Sequence, residues 1–439
     1  MKERASRELR RTLALSVPLA GSQLAQVLFA VLATRALGKV GPDALAAGAI
    51  ALTVWATLTV TASGLFSAIG ILAAEADGAA DEPRVGRLAL AGAKLSIALG
   101  VAVAGVVWAS APHLGWLGQT PEVARGATLL LRTAAPGIPA AFLFAHFRQF
   151  MTGLARPAIV AGAYVVTIVV FGVSLALLVP GALDSDHALV RTGALVALSQ
   201  VLLVALLLPW VARRARDASV HTTDVTLIRE ALRVGAPTAL AFATESGFFT
   251  VTAFLAGQLG AVALGAHQIA VQTCYVAFMV PSGIGMAVSA RVAHESGRGD
   301  VRAARRAGLV GMALAASFMT AVAFVFLVRP EQIIGAYISL GRAENAPVIS
   351  QARALLAVAA LFEVADGIQG VAGAALRGRR KTSDAFLLGV FGYGAGLGVG
   401  VWLGIPRGWG VVGLWWGLAA GLTLAALALA ARFIHETRS

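Results

Sequence analysis

Two carboxylates interrupt an otherwise apolar run in the stretch FEVADGIQG, residues 362–370. Glu363 and Asp366 are three residues apart, so both lie on the same face if the segment is helical. Two acids that share an apolar site repel each other, and such a pair either binds a cation or retains a proton near neutral pH. The two residues are therefore candidates for a cation site.

Glu245 is a third acid of the same kind, within the apolar run VGAPTALAFATESGFFTVTAFLAG. A charge at the centre of a bilayer costs about 2.5–3.5 kcal/mol on insertion scales. The side chain of a glutamate is too short to carry its carboxylate from there to water. One alternative is a buried acid that only hydrogen-bonds neighbouring helices. We predict that Glu245 and Asp366, with Glu363 beside them, bind a coupling cation, Na⁺ or H⁺, and that Glu245 and Asp366 ligate the metal if it is Na⁺.

The composition shows which solvent surrounds these acids. Of 439 residues, 58% are hydrophobic and only 13% are charged, whereas a soluble protein is roughly a quarter charged. Apolar runs long enough to span a bilayer recur along the whole chain. We therefore predict an all-α polytopic membrane protein with twelve transmembrane helices.

The net charge of +13 reflects the orientation of the chain in the membrane rather than binding to nucleic acid. If successive spans alternate in direction, 26 of the 35 Lys and Arg residues fall on the side of the N-terminus and 9 on the other side. Such an excess is typical of cytoplasmic loops. We expect a multi-pass protein of the plasma (inner) membrane with both termini in the cytoplasm, whose partners are the lipid bilayer and small organic substrates, with no nucleic acid.

The chain contains an internal repeat with one constant offset. GKVGPDALAAGAIA (38–51) matches GQLGAVALGAHQIA (257–270), and the same offset pairs Pro18 with Pro237 and Asp81 with Asp300. The pattern predicts an N-terminal lobe over 1–211, a cytoplasmic linker over 212–226 and a C-terminal lobe over 227–439, each lobe with six helices in a parallel repeat. In transporters built from such repeats, substrate and ion sites lie between or within the halves.

Sequence motifs for enzymatic chemistry are absent. There is no GxxxxGK[ST] loop, HExxH or GxSxG motif, and no loop is long enough to form a soluble domain. The single cysteine, Cys274, excludes an intramolecular disulfide. We therefore expect no enzyme activity, no catalytic residues and no cofactor. Arg148 and Arg377 fall near predicted cytoplasmic helix ends, and we expect their side chains to extend to the membrane boundary.

The segments MVPSGIGMAVSARVAHESGRGDVRAARRA and DGIQGVAGAALRGRRKT resemble the multidrug and toxic compound extrusion (MATE) family, and most of all its NorM branch. The resemblance implies a twelve-helix fold and antiport of organic, often cationic, compounds against Na⁺ or H⁺. The branch's cation site uses carboxylates of the seventh and tenth helices, which fall on Glu245 and Asp366. The chain departs from the family in LATRALGKVG, where Ala33 occupies the position of a first-helix acid, so an N-lobe cation site is expected to be lost.

These observations predict a monomeric, cation-coupled exporter of amphipathic or cationic organic compounds that works by alternating access. Three alternatives remain: a flippase for a lipid-linked precursor, an exporter dedicated to one metabolite, and a non-transporting integral protein such as a sensor or an enzyme subunit. A flippase for a pyrophosphate would need several cationic groups in its cavity, and the mid-membrane charges of the second half are acidic. The candidate residues for the substrate cavity are Gln26, Phe249, Gln268, Gln272 and Gln369.

Overall fold

Long α-helices make up almost all of the computed structural model, which describes residues 2–117, 120–180, 184–216 and 224–438. Within these ranges, twelve helices are long and apolar enough to cross a membrane, and no residue is in a β-strand. The predicted all-α polytopic fold is confirmed, and the chain is a multi-pass membrane protein. Residues 217–223 of the predicted linker lie outside the described part.

Fourteen α-helices account for the twelve spans. They are α1 (Lys2–Gly38), α2 (Pro42–Gly78), α3 (Glu82–Ser110), α4 (Pro121–Ala134), α5 (Ile138–Gly153), α6 (Pro157–Leu178), α7 (Ser185–Ala215), α8 (Val225–Gln258), α9 (Ala261–Gly297), α10 (Val301–Val328), α11 (Pro330–Gly335), α12 (Ala346–Gly378), α13 (Thr382–Gly404) and α14 (Gly410–Glu436). Helices α4 and α5 belong to one continuous span, 121–153, and α11 is a single short turn between two spans.

The sequence repeat is visible in the helix boundaries. Both ends of α9 follow the corresponding ends of α2 at the offset of the repeat. The matched acids Asp81 and Asp300 cap α3 and α10, and each accepts a hydrogen bond from a backbone N–H three residues later. A carboxylate at this position satisfies a donor that has no partner within the helix. The repeat thus preserves the signals that start equivalent helices.

The contacts of the chain divide it into two compact units. One unit is Gly21–Ala239, and the other combines Met1–Ala20 with Leu240–Ser439. The dividing points lie at equivalent positions of the repeat, within α1 and α8, and each follows shortly after a helical proline, Pro18 or Pro237. Each unit therefore contains the first part of a helix whose remainder belongs to the other unit. We refer to Gly21–Ala239 as the N unit and to the other as the C unit.

Ion pairs fix these two initial helix segments within their units. In the C unit, Glu8 of α1 binds Arg291 near the end of α9, with Arg291 Nε 3.1 Å from Glu8 Oε1. In the N unit, Glu230 of α8 binds Arg84 at the start of α3, also at 3.1 Å. Each ion pair thus joins an initial helix segment to another helix of the same unit.

Glycines allow α13 and α14 to pack backbone against backbone. A Cβ added at Gly396 would lie 2.7 Å from the carbonyl oxygen of Gly417 and 2.7 Å from Cα of Gly421. Such close approach between membrane helices requires small residues. Gly396 of the segment GYGAGLGVG therefore packs α13 closely against α14.

We expect Gly396→Ala to destabilise the C unit by about 1–3 kcal/mol, because the added methyl group meets only backbone atoms that cannot rotate away. Thermal unfolding followed by tryptophan fluorescence should show a lower Tm. Gly398→Ala is the matched control: it lies two residues further along α13 and its Cβ would meet nothing within 4 Å. Equal effects of the two substitutions would contradict the proposed packing.

Candidate functional site

The structure brings the three acids predicted from the sequence together in the C unit. Glu245 comes from α8, and Glu363 and Asp366 come from α12. Asp366 is close enough to interact electrostatically with both of the other acids. Two separate helices are thus needed to assemble the cluster, and we call these residues the acidic cluster.

The members of the acidic cluster differ in burial. Glu363 is 0% exposed and Asp366 is 9% exposed, whereas Glu245 is half-buried. Both carboxylate oxygens of Glu363 are buried without a hydrogen bond of normal geometry among the described residues, and the thiol of Cys274 on α9 lies beside them. The thiol is only a weak donor, and a buried carboxylate without a stronger one is costly, so Glu363 favours a proton or a cation in the acidic cluster.

Arg377 supplies a positive charge at the edge of the cluster. Its guanidinium lies over the ring of Phe242, 5.5 Å from the centroid, and it interacts electrostatically with Glu245 without forming a direct ion pair in the described structure. The sequence correctly predicted that Arg377 is near a helix end, since α12 ends at Gly378. The prediction that its side chain extends away to the membrane boundary is wrong, because the side chain turns toward the acids.

Tyr393 of α13 is a site residue that the sequence reasoning missed. Its hydroxyl accepts a hydrogen bond of 2.8 Å from Gln369 Nε2, and it interacts electrostatically with Glu245 and Asp366. Its ring packs on Phe248 with the centroids 5.1 Å apart. A tyrosine carries no charge to mark it in an apolar sequence, and its place in the GYG segment was the only available signal.

The predicted cavity residues are dispersed. Gln369 lies beside the acidic cluster, with its Oε1 buried and unpartnered among the described residues. Phe249 packs against Phe248 and is half-buried. Gln268 and Gln272 are exposed on one face of α9, while Gln26 belongs to the N unit and donates to Gln23 Oε1 at 3.0 Å.

Two buried histidines form hydrogen bonds to other helices. In the C unit, Trp415 Nε1 donates to His267 Nδ1 at 3.1 Å, and the Trp415 ring also packs on Phe362. In the N unit, His146 Nε2 lies 3.0 Å from the carbonyl oxygen of Ala89. Both side chains therefore connect helices.

The N unit has no counterpart of the acidic cluster at the position that the resemblance singled out. Ala33 is 1% exposed and packs in the apolar core of this unit.

Arg148 of α5 is a charged residue buried in the same unit, with only 4% of its surface exposed. The prediction that Arg148 extends to the membrane boundary is wrong, because its guanidinium donates to Gln23 and Ser63 in the interior of the unit.

Within the described residues, no group of three or more His, Cys, Asp or Glu side chains is arranged to hold a metal ion. The acidic cluster therefore offers at most two carboxylates to any one cation. Further ligands for Na⁺ would have to be neutral oxygens or water, which hard cations accept. Protonation, in contrast, needs only one carboxylate.

Comparisons with known proteins agree with this architecture. The family model MatE matches residues 18–178 and 237–402, so its two segments begin at equivalent positions of the repeat. The chain is 36% identical over 447 residues to a protein named multidrug resistance protein NorM from Burkholderia vietnamiensis, covering 99% of this chain and 95% of that protein. It is 33% identical to a probable multidrug resistance protein NorM from Deinococcus radiodurans, covering 98% of this chain and 96% of that protein.

Solved structures share the fold. A structure described as MATE in the bent conformation superposes with a TM-score of 0.90 at 18% identity and covers 99% of this chain and 97% of its own. A eukaryotic MATE transporter superposes with a TM-score of 0.84 at 19% identity and covers 99% of both chains.

Proposed function

The chain belongs to the MatE family, and on that premise we propose that it is an antiporter that exports organic compounds, mainly amphipathic cations, against an inward flux of Na⁺ or H⁺. The observation that carries the proposal is the acidic cluster of the C unit, whose carboxylates are buried or half-buried without an ion-pair partner among the described residues. A transporter of this kind uses no cofactor. We place it in the plasma (inner) membrane with both termini in the cytoplasm, as the Lys and Arg asymmetry indicates.

The proposed cycle uses charge neutralisation. In an outward-open state, a cation from outside binds at Glu245 and Asp366 and cancels negative charge that would otherwise hold a cationic substrate. Substrate leaves, the protein converts to an inward-open state, and the cation is released as new substrate arrives. Exchange of one monovalent ion for one monovalent cationic substrate moves no net charge, so the concentration gradient of the ion drives it. Each net charge that does move inward, as with a neutral substrate, releases about 2.3 kcal/mol per 100 mV of membrane potential.

The geometry favours H⁺ over Na⁺ as the coupling ion. A proton converts a buried carboxylate such as that of Asp366 into a neutral acid, which is far cheaper to bury. Sodium coupling would instead require neutral ligands such as Gln369 or Tyr393 to complete a coordination shell.

The character of the substrate follows from the surroundings of the acids. Phe248, Phe249 and Tyr393 provide aromatic surface beside negative charge, and aromatic faces attract organic cations. The amides of Gln268 and Gln272 are exposed on α9, where contact with lipid would be unfavourable. We therefore place these two amides toward an aqueous substrate path.

Transport into proteoliposomes tests this function. We expect uptake of ethidium, a fluorescent organic cation, to be driven by an imposed outward-directed proton gradient (acidic lumen), with an outward-directed sodium gradient of equal size producing little movement. Transport driven only by the sodium gradient would replace H⁺ with Na⁺ as the coupling ion. Equal movement without any ion gradient would contradict antiport itself.

A further inference from the structure

Arg148 is a buried cation in the N unit that the proposed cycle does not use. It lies on α5 and is 4% exposed. Its Nη1 donates to Gln23 Oε1 of α1 at 3.3 Å, and its Nη2 donates to Ser63 Oγ of α2 at 2.7 Å. The hydroxyl of Tyr164 on α6 lies beside it. Side chains from three other helices thus converge on the guanidinium.

All of these partners are neutral. None of the contacts of Arg148 within the described residues is with a carboxylate, and its Nε is buried without a hydrogen-bond partner. Other arginines of the N unit differ: Arg84 and Arg125, for example, bind Glu230 and Asp186 directly. Buried charges in proteins are normally paired, so Arg148 lacks the counter-charge that its burial requires.

The Nε–H group of Arg148, which has no hydrogen-bond partner among the described residues, has a defined geometry. Nε and Nη2 lie on one edge of the guanidinium, and the two parallel N–H groups of such an edge match the two oxygens of a carboxylate. In the structure this edge is half occupied, since Nη2 reaches Ser63 Oγ while Nε reaches nothing. A carboxylate would satisfy both donors and neutralise the charge at the same time.

A ligand can reach this edge through its neighbours. Gln23, Gln26 and Ser63 are only half-buried, although the guanidinium that they surround is almost fully covered. The amide oxygen of Gln23 also accepts a hydrogen bond from Gln26 Nε2. Two amide side chains therefore lie together near Gly21, where the N unit's part of α1 begins. These short polar groups can move aside or contribute hydrogen bonds.

We propose that Arg148 is an anion-binding residue of the N unit and that it receives the carboxylate of organic substrates. The inference rests on the proposed export function, and its new element is the residue that holds the carboxylate when a substrate carries both a carboxylate and an organic cation. The carboxylate binds the N unit through Arg148, a site of opposite charge to the acidic cluster of the C unit.

Binding of benzoate to the full-length protein in phosphatidylcholine nanodiscs tests the site without transport. By saturation-transfer NMR, we expect wild type to bind benzoate and not the neutral analogue benzamide, and Arg148→Gln to bind benzoate at least about tenfold more weakly. Arg35→Gln is the matched control, because Arg35 is an exposed arginine of the same unit, and it should bind as wild type does. Undiminished binding by Arg148→Gln would overturn the proposal.

Two further experiments test whether Arg148 binds a carboxylate through two N–H groups and which kind of anion occupies the site. Arg148→Lys keeps the buried charge but lacks the two parallel N–H donors. It should therefore fold and bind benzoate several-fold more weakly; wild-type affinity in this variant would overturn the bidentate site.

Nanodiscs that contain phosphatidylglycerol test a lipid phosphate as the occupant. Loss of benzoate binding by wild type in them would show that a headgroup, rather than an organic carboxylate, takes Arg148, and would overturn the proposal.

Transport separates this inference from the function on which it rests. We expect Arg148→Gln to reduce export of rhodamine B, which carries a carboxylate, at least about fivefold while export of its methyl ester is retained. Equal loss of both dyes would indicate a role in packing only and would overturn the proposal. If wild type exported neither dye, the export function would fail, whereas specific benzoate binding through Arg148 would still establish the anion site.

Discussion

Asp366→Asn should lower gradient-driven ethidium export by about 5–150-fold, the range of typical coupling free energies between two ligand sites. Asn has nearly the shape of Asp but cannot lose a proton or balance a cation. Asp366 interacts with both other acids of the cluster, so its neutralisation also removes the repulsion that promotes cation binding. The measurement is initial export rate in proteoliposomes under a fixed pH gradient.

Ethidium binding at equilibrium should persist in Asp366→Asn, because Glu245 and Glu363 remain. Asp43→Asn is the matched control, since Asp43 is an exposed acid in the first turn of α2, and it should transport as wild type does. If the single variants Asp366→Asn and Glu245→Gln both exported ethidium at the wild-type rate, the acidic cluster would not be the coupling site.

Glu363→Met should raise the thermal stability of the protein while it impairs coupled transport. Glu363 is fully buried, and its two oxygens lack hydrogen bonds of normal geometry among the described residues. A polar group in this situation destabilises the fold by about 1–3 kcal/mol, and methionine has similar length without that cost. A residue that is retained at the expense of stability has a functional reason to be there.

The matched comparison is Glu295→Met, which replaces a buried acid that does have a partner. Glu295 Oε1 lies 2.7 Å from Arg291 Nη2, so its removal weakens the ion-pair network at the end of α9 and should lower the Tm. Unfolding followed by tryptophan fluorescence in detergent distinguishes the two cases. A fall in Tm for Glu363→Met as large as that for Glu295→Met would mean that Glu363 stabilises the fold instead.

The helices and the repeat were predictable because they depend on local signals. Apolar length sets each span, and Asp81 and Asp300 cap equivalent helices at the same offset. The acids Glu245, Glu363 and Asp366 were identifiable because hydrocarbon penalises charge wherever the side chain points. Their convergence, in contrast, required parts of α8 and α12 to lie in one unit.

The parts of the sites that sequence reasoning missed depend on side-chain direction. Arg148 and Arg377 both lie where a long side chain can reach either the membrane boundary or the protein interior. Packing against Phe242 turns Arg377 toward the acids, and acceptors on other helices hold Arg148 inside. Tyr393 is placed by its hydrogen bond to Gln369. No pattern within a single helix determines these tertiary contacts.

Proton release on substrate binding tests most directly whether the acidic cluster exchanges the coupling ion for substrate. Purified protein in weakly buffered detergent solution, mixed with saturating ethidium, should release protons that a pH-indicator dye records, and the variant Glu245→Gln/Asp366→Asn should bind ethidium and release almost none. Equal proton release by wild type and this double variant would contradict the assignment of ion coupling to these acids.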